Sequence, residues 1–457
     1  MRYLKNLLAD FGFIMQFSGI FVVFSALLGL YLAEDRAAIA FFLTASCFLV
    51  LGFLLNALAQ RKGLTKRQAY ILLLLTFLVV PLIGSLPFLY LQVFGGLSVS
   101  SFVKSFFEAS SGITTTGLSL IENTESLPKS LIFYRSLLQF LGGLGIVFIM
   151  LTFVFSSEAK SVLRISKILG LEERLSHIKR SFAEILIIYL TLTLISAILL
   201  YLSGLKDGII SISLVMSLIS TGGFLPVTSL GAILSRVPSY LLCLPMLLGA
   251  ISFRIYIKLR DLDKRRITEV GLYFLLIGMA IFLLTFVSSF NFETAFFHAV
   301  TASTTTGFYF LNLSSIPSFS KFLLVILMFI GGMAGSTAGG IKFQRILEII
   351  RSTPILLKNC ITERQQSVNT LPFLLLFSYL SLLVFLTFLF SSLGNAFSDS
   401  LMEAVSIISN TGYSTGIIHS APDWAKLISS FAMILGRIEI IPLLLLFVKE
   451  EENSGHK

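Results

Sequence analysis

Ser110-Ser111-Gly112-Ile113-Thr114-Thr115-Thr116-Gly117-Leu118 is a run of small and hydroxyl residues ending in glycine, set between apolar segments, and its reading decides the fold. It recurs as Ser220-Thr221-Gly222-Gly223-Phe224, Thr304-Thr305-Thr306-Gly307-Phe308 and Ser409-Asn410-Thr411-Gly412-Tyr413. Each copy ends in a glycine followed by a large apolar or aromatic residue. The four glycines stand 106, 84 and 105 residues apart, so the chain reads as four copies of one unit. Repetition has to be settled first, because a missed repeat misreads the whole architecture.

The surroundings of these stretches fix the solvent. The chain has 457 residues, 56% of them hydrophobic and 13% charged, with a mean hydropathy of +0.92. Soluble domains carry roughly a quarter charged residues, and apolar runs of about 20 residues, enough to cross a bilayer, recur throughout. The expected class is an all-α polytopic membrane protein. Its 44 phenylalanines suit lipid-facing helices, and with Trp424 as the single tryptophan the interfacial belt falls to the 13 tyrosines. A net charge of +10 invites a nucleic-acid reading, but the distribution argues against it. Most Lys and Arg fall in short loops on one side of the spans, among them Arg2, Arg61, Lys62, Lys66, Arg67, Arg164, Lys167, Arg260, Lys264, Arg265, Arg266 and Lys358. Such a bias marks the cytoplasmic side and places both termini there. Cys47, Cys243 and Cys360 lie far apart, without ligand or disulfide spacing, and read as packing residues.

The first apolar run, from about Phe11 to Tyr31, is too long for a signal-peptide core and reads as a span. With a second span from Ala37 to Ala59 it makes a hairpin, residues 1–66, added to the repeats. The units then occupy 67–180, 181–266, 267–366 and 367–457, each a span, a shorter apolar piece, the glycine stretch and a second span. The expected spans are Tyr70–Val93 and Leu131–Phe155, Phe182–Tyr201 and Tyr240–Ile257, Val270–Phe290 and Phe322–Ile341, Leu371–Phe390 and Trp424–Val448, ten with the hairpin. The shorter pieces, Ser101–Ile113, Asp207–Ile219, Asn291–Ser303 and Asn395–Ile408, each begin with a residue type that caps helix N-termini. About 12 to 14 helical residues cover roughly 20 Å, less than the hydrocarbon core. Each is therefore expected to enter from the outside, stop midway and return through its Thr/Gly stretch. Irregular backbone at that depth is tolerated only where it lines protein or water.

Four such stretches around one axis would offer carbonyl rings able to replace a cation's water shell. A glycine lets successive carbonyls face one axis by leaving the usual φ/ψ regions, and hydroxyls can assist coordination or satisfy free backbone. The expected ion-contacting residues are Thr115, Thr116, Gly117, Thr221, Gly222, Gly223, Thr305, Thr306, Gly307, Asn410, Thr411 and Gly412. Four Thr/Gly turns between packed helices are the plainer alternative, and four at matched positions are hard to explain that way.

Three further positions stand out. The second spans carry Gly142, Gly249, Gly331 and Gly436 at 24 to 26 residues past the stretch glycine, followed by Gly143, Ala250, Gly332 and Arg437. An arginine in mid-span costs several kcal/mol unless it meets water or a partner, so Arg437 reads either as a cation barrier below the stretches or as a packing ion pair, for instance with Glu439. The run Gly331-Gly332-Met333-Ala334-Gly335-Ser336-Thr337-Ala338-Gly339-Gly340 interrupts the third unit's second span. Five glycines at about 1 kcal/mol each against alanine favour unwinding, although small residues also serve helix packing. Lys342 follows Gly340 by two places rather than directly, and no strand precedes it, so the run is not a phosphate-binding loop. Nine residues before each stretch glycine stand Glu108, Leu214, His298 and Glu403; the polar three need partners and are expected to support the stretches from behind.

The four stretches, Phe133-Tyr134-Arg135 with Leu141-Gly142-Gly143-Leu144-Gly145, Gly331–Lys342 and Leu435-Gly436-Arg437-Ile438-Glu439-Ile440 together resemble the membrane subunit of the Trk/Ktr/HKT superfamily of potassium transporters. The resemblance covers the chain from about Tyr70, and the N-terminal hairpin makes it more similar to Trk-type subunits. It implies four repeats of membrane helix, pore helix, filter loop and membrane helix around one pore. It also implies an intramembrane gating loop over 331–342, containing Gly331, Gly332, Gly335, Gly339, Gly340 and Lys342. K+ would be the transported ion, with no organic cofactor. The implied setting is a bacterial inner membrane, with lipid around a homodimer and a cytoplasmic nucleotide-binding regulatory subunit beneath it; nucleic acid is not an expected partner. Sodium-preferring plant members tend to carry serine at the first filter glycine, where Gly117 stands here, while Gly222 departs from the Thr116 and Thr306 pattern. A sodium-selective or sodium- or proton-coupled transporter of the same fold is the near alternative. A membrane-embedded transferase is the distant one, and it would need convergent ligands that His177, His298, His419 and His456 do not provide by spacing. Replacing Gly117 by serine is expected to weaken potassium-over-sodium discrimination without unfolding the protein, because a Cβ at a position needing unusual φ/ψ shifts one carbonyl of a fourfold ring. Paired flux assays on the folded variant check this, and an unaltered ratio would remove Gly117 from the filter.

Overall fold

The computed structural model describes residues 2–57, 66–149, 171–257, 264–362 and 369–440. Arg61, Lys62, Arg164, Lys167 and Arg260 of the basic loops lie outside them, as do the ends of three expected spans, 58–59, 150–155 and 441–448. Helices α1 (Arg2–Tyr31) and α2 (Asp35–Ala57) form the expected hairpin. The first repeat holds α3 (Lys66–Gly84), α4 (Val99–Ile113) and α5 (Lys129–Ile149), and the second α6 (Leu171–Leu202), α7 (Gly208–Ile219) and α8 (Ser239–Ala250). The third has α9 (Lys264–Phe286), α10 (Phe292–Ser303), α11 (Ser318–Ile330) and α12 (Phe343–Thr362), and the fourth α13 (Leu371–Ser392), α14 (Phe397–Ile408) and α15 (Asp423–Arg437).

Among the described residues seven helices are long and apolar enough to cross a membrane. The difference from the ten expected spans lies in the second helices of repeats two to four, which are interrupted or run out of described residues. Helix α8 breaks at Ile251-Ser252 before a short helix at Phe253–Ile257, and α11 stops at Gly331. Helix α15 ends at Arg437, close to the limit of the described chain.

The half-length helices α4, α7, α10 and α14 have 15, 12, 12 and 12 residues, as their capping chemistry and length suggested. Two of the four expected caps hold. Asp207 accepts from the amides of Ile209 and Ile210, and Asn291 from that of Thr294. Burial alone would raise the Asp207 carboxyl, but Lys129 Nζ at 2.8 Å and the two amides hold it below the usual carboxylate range. Ser101 is not a cap: Ser98, three residues earlier, accepts from Ser101 N and starts the helix, while Ser101 Oγ donates back to Gly96 O at 2.7 Å. Asn395 is not one either. Ala396 holds the cap position without a side-chain bond, and Asn395 Nδ2 donates to Phe390 O, tying down the end of α13.

Packing between repeats is cyclic. Each half-length helix lies against the first and second helices of its own repeat. Each second helix also packs on the next repeat's half-length helix: α5 on α7, α8 on α10, α11 on α14, and α15 back on α4. In repeats one, two and four the aligned glycine lets the second helix approach the half-length helix of its own repeat closely. A Cβ on Gly142, Gly249 or Gly436 would lie 1.9, 2.3 or 2.0 Å from the last helical carbonyl of its own half-length helix, at Ile113, Ile219 and Ile408. In the third and fourth repeats a first-helix tyrosine completes that end: Tyr273 Oη donates to Ser303 O at 3.1 Å and Tyr379 Oη to Ile408 O at 2.9 Å. Cys243 is buried as expected, whereas Cys47 sits exposed on the outer face of α2, where packing imposes nothing on it.

The glycine contacts give a paired test. Gly142→Ala puts a methyl group into a backbone carbonyl that cannot swing away, and overpacking typically costs about 1–3 kcal/mol. Gly145, one turn on in α5, has no atom within 4 Å of its Cβ position. Thermal denaturation in detergent should show Gly142→Ala strongly destabilised and Gly145→Ala as stable as the parent or slightly more so.

Candidate functional site

The four half-length helices end identically. Their C-cap residues, Thr114, Ser220, Thr304 and Ser409, remain right-handed, and each hydroxyl donates to the carbonyl four residues back at 2.7 to 2.8 Å. The next residue in each repeat (Thr115, Thr221, Thr305 or Asn410) has φ of 52 to 55°. The amide after it then reaches back five positions, to Ser111, Ser217, Thr301 or Ser406 O, at 2.8 to 2.9 Å. This is the Schellman closure, which normally places glycine at the left-handed position. The three threonines there carry left-handed strain, about 1–2 kcal/mol each for an ordinary L residue, while Asn410 is of the type that tolerates this conformation best after glycine. Strain of this kind persists only where surroundings over-determine it.

Two residues later Gly117, Gly223, Gly307 and Gly412 are also left-handed, with φ of 76 to 96°. Each meets the following repeat. A Cβ on Gly117 would lie 2.1 Å from Gly222 O, on Gly223 2.3 Å from Thr306 O, on Gly307 1.7 Å from Thr411 O, and on Gly412 2.3 Å from Thr116 O. The order runs from repeat one to four and returns to one. Four carbonyl oxygens, each from the residue before a glycine, thus form a closed ring resting on four glycine Cα atoms. A cavity of about 670 Å³ opens onto these glycines, with Glu122, Arg135 and His419 also in its wall.

Side chains brace the ring from outside. Thr114 with Thr116, Thr304 with Thr306, and Ser409 with Thr411 share hydroxyl hydrogen bonds of 2.6 to 2.8 Å. Asn410 Nδ2 donates to Thr116 Oγ1 at 3.0 Å and to Met433 O at 2.8 Å, fastening repeat four to repeat one. Glu108 accepts from Ser119 Oγ and Leu120 N, and Glu403 from Ser414 Oγ and Thr415 N, so both carboxylates hold the strand two and three residues past their glycine. Arg135 pairs with Glu108 at 2.8 Å, lies 4.3 Å over the Phe224 ring and donates to Leu225 O, spanning repeats one and two. His298 behaves differently. Its Nδ1 meets Thr294 O at 2.9 Å on its own helix, and among the described residues no hydrogen bond joins its ring to its strand. Repeat two, with Leu214 at this position, borrows Gln139 from α5, which donates through Nε2 to Gly222 O and accepts from Phe224 N at 3.2 Å.

Beneath the ring lies the glycine-rich segment. Gly331, Gly335 and Gly340 are left-handed, as the composition suggested, and Lys342 is too. The segment is tied to three repeats: Met333 N to Ala250 O, Thr337 Oγ1 to Ile219 O and Gly249 O, Gly340 N to Ser409 O, and Gly339 N to Thr305 Oγ1 at 2.6 Å. Gly339 is required by the approach, since a Cβ there would lie 1.9 Å from Ser409 O. Gly332 faces Ala338, the nearest atom to its Cβ position, across the segment. Arg437 is buried and donates through Nη1 to Thr337 O at 2.8 Å, with Nη2 3.5 Å from Gly142 O. The ion pair with Glu439 does not form; Glu439 instead pairs with Arg345 of α12. Lys342 Nζ donates to Ala338 O, so two cations hold two successive carbonyls of the segment.

The sequence matches the TrkH family of cation transport proteins over residues 37–292 and 289–456. The chain belongs to that family. It is 31% identical to an uncharacterized cation transporter of Methanocaldococcus jannaschii, over 97% of this chain and 95% of that one. It is 26% identical to the Trk system potassium uptake protein TrkH of Escherichia coli K12, over 95% and 96%. The crystal structure of the potassium transporter TrkH from Vibrio parahaemolyticus superposes with a TM-score of 0.81 at 25% identity, covering 97% of this chain and 98% of that one.

Within this TrkH-family chain, then, the twelve stretch residues converge on one ring, and Arg437, Lys342 and the glycines at 331, 332, 335, 339 and 340 converge just below it. Gln139 and Arg135 were not singled out as site residues from the sequence. Comparing repeats register by register would have found Gln139, because Met246, Met328 and Met433 hold the equivalent position.

Proposed function

We propose that this chain is the membrane subunit of a potassium uptake system, passing K+ through the fourfold ring. The observation that carries the reading is the cyclic seating of Thr116, Gly222, Thr306 and Thr411 carbonyls on the glycines of neighbouring repeats. A ring braced by hydroxyls, carboxylates and Gln139 can take over a cation's hydration shell without collapsing onto it. The left-handed residues Thr115, Thr221, Thr305 and Asn410 reverse the chain so that carbonyls on either side turn to the same axis. Names of relatives support potassium as the ion, since several are potassium uptake proteins.

Glu108 and Glu403 act as structural supports in this reading, each fixing an outgoing strand, whereas the His298 ring bonds back to Thr294 O of its own helix and supports its repeat by bracing that helix. The segment 331–342 is the gate. It closes the path because its amides and Thr337 hydroxyl are bound to the undersides of the repeats, while Arg437 and Lys342 hold its carbonyls. The cytoplasmic-membrane setting, the homodimer and a nucleotide-binding partner on the basic face extend the same reading. Flux of K+, Rb+ and Na+ into liposomes containing the purified protein tests it, and a protein that moves none of the three under an imposed gradient would refute it.

Two variants test the lower part of the path. A fixed positive charge opposes a passing cation by about 4 kcal/mol at 4 Å for an effective dielectric near 20. Arg437→Ala removes that barrier and also frees Thr337 O, so K+ flux per folded molecule should rise about tenfold if only about 1.4 kcal/mol of the barrier survives screening. Lower thermal stability with unaltered flux per folded molecule would instead make Arg437 an anchor. Deleting a few residues from 331–340 should likewise speed flux, and a folded deletion variant no faster than the parent would identify the segment as packing.

A further inference from the structure

Repeat two departs from the other three at one position of the ring, repeat one departs at one position of its second helix, and the two departures touch. Before the ring glycine stand Thr116, Thr306 and Thr411, but Gly222. Three residues before the aligned second-helix glycine stand Met246, Met328 and Met433, but Gln139. All four of these second-helix side chains are fully buried. Because each second helix packs on the next repeat's half-length helix, repeat one's residue faces repeat two's strand.

Gly222 is not glycine for conformational reasons. Unlike Gly223 it is not left-handed, and threonine occupies the same place in three repeats. It is glycine for space: a Cβ there would lie 2.4 Å from Gln139 Cδ, 2.6 Å from Oε1 and 2.8 Å from Nε2. The amide fills the room that a threonine side chain takes elsewhere. It also makes contacts of a kind the threonines do not. Thr116, Thr306 and Thr411 bond to a hydroxyl of their own repeat, and Thr116 Oγ1 also accepts from Asn410 Nδ2 of repeat four, but these are bonds to side chains; Gln139 donates to Gly222 O and accepts from Phe224 N, clasping the ring carbonyl from both sides of Gly223. Among the described residues no side chain donates to the carbonyls of Thr116, Thr306 or Thr411.

We infer that Gln139 is a specificity-positioning residue: supplied by repeat one, it replaces the missing threonine of repeat two and sets the place and strength of the Gly222 carbonyl in the ring. The inference rests on the filter reading proposed above. One of four ring oxygens shares its electron density with an amide N–H, so the ring is electrostatically uneven and its geometry on that side follows Gln139. An ion that fits the ring loosely is discriminated by small displacements of its oxygens, so removing the clasp should alter selectivity before it alters folding.

The test is a two-residue cycle in the full-length protein, read as K+ and Na+ flux in liposomes together with thermal stability in detergent. Gln139→Met installs the residue of the other repeats and leaves Gly222 O and Phe224 N without their partner. Its K+/Na+ flux ratio should fall about fivefold, the equivalent of roughly 1 kcal/mol of lost hydrogen bonding. Gly222→Thr alone forces its side chain into the Gln139 amide and should lose both stability and selectivity. The double variant Gln139→Met/Gly222→Thr makes repeat two like its neighbours and should recover most of the ratio. A Gln139→Met protein with the parental ratio, or a double variant no better than Gly222→Thr, overturns the positioning role. Gly117→Ser run alongside separates the levels. If it changes the ratio while Gln139→Met does not, Gln139 is a packing residue in a genuine filter; if neither changes it, the filter reading falls and this inference with it.

Discussion

Everything in this protein is arranged around four contacts between a glycine Cα and a carbonyl oxygen of the next repeat. None leaves room for a Cβ, and together they close a cycle. A closed cycle of close contacts is rigid in a way that an open row is not, because displacing one carbonyl displaces the glycine it rests on and so passes to the next repeat. Membrane interiors lack the water that would otherwise satisfy such backbone, which is why the chain can run irregularly here only inside a jacket of helices.

The jacket follows from the ring. Bringing four strand turns to one axis requires four helices that stop midway, and their last carbonyls then need cover. Gly142, Gly249 and Gly436 supply it by letting second helices approach, and Tyr273 and Tyr379 supply donors. The left-handed threonines are the cost of turning the chain within a single residue. Their strain is outweighed by Schellman bonds, by hydroxyls bonded to the preceding turn and by the packing of twelve buried or half-buried residues around the ring.

Much of this was legible in the sequence because repetition multiplies weak signals. A single Thr/Gly stretch would have meant little; four, each following a short apolar piece and preceding a glycine-marked helix, pointed to the strand turns and the half-length helices, whereas the close glycine contacts appear only in the packed fold. What was missed has a local cause in each case. Ser98 displaced Ser101 as a cap because both are serines three residues apart and only the loop geometry chooses between them. Asn395 was diverted to the end of the preceding helix. Gln139 escaped because a lone glutamine in an apolar helix carries no motif; its meaning lies in which strand it faces, and that depends on the cyclic order of packing. The left-handed threonines were invisible for a similar reason, since sequence rules assign that conformation to glycine and only tertiary constraint overrides them.

The segment below the ring shows why filter and gate cannot be treated as separate devices under the proposed reading. Gly339 N is bonded to the side chain of Thr305, itself one of the four left-handed residues, and Gly340 N to the carbonyl that precedes Asn410, another of them. Withdrawing the segment therefore removes one bond from a left-handed residue, Thr305, and one from Ser409, the neighbour of another. The same motion releases Thr337 O and Ala338 O from Arg437 and Lys342, so two cations lose their carbonyl partners just as the path opens. Their charge would then be least compensated at the moment an ion must pass. If the segment is the gate proposed above, its opening has to carry Arg437 and Lys342 aside or present them with other acceptors, and the nearby Glu439, already paired with Arg345, is the closest carboxylate in sequence able to take part.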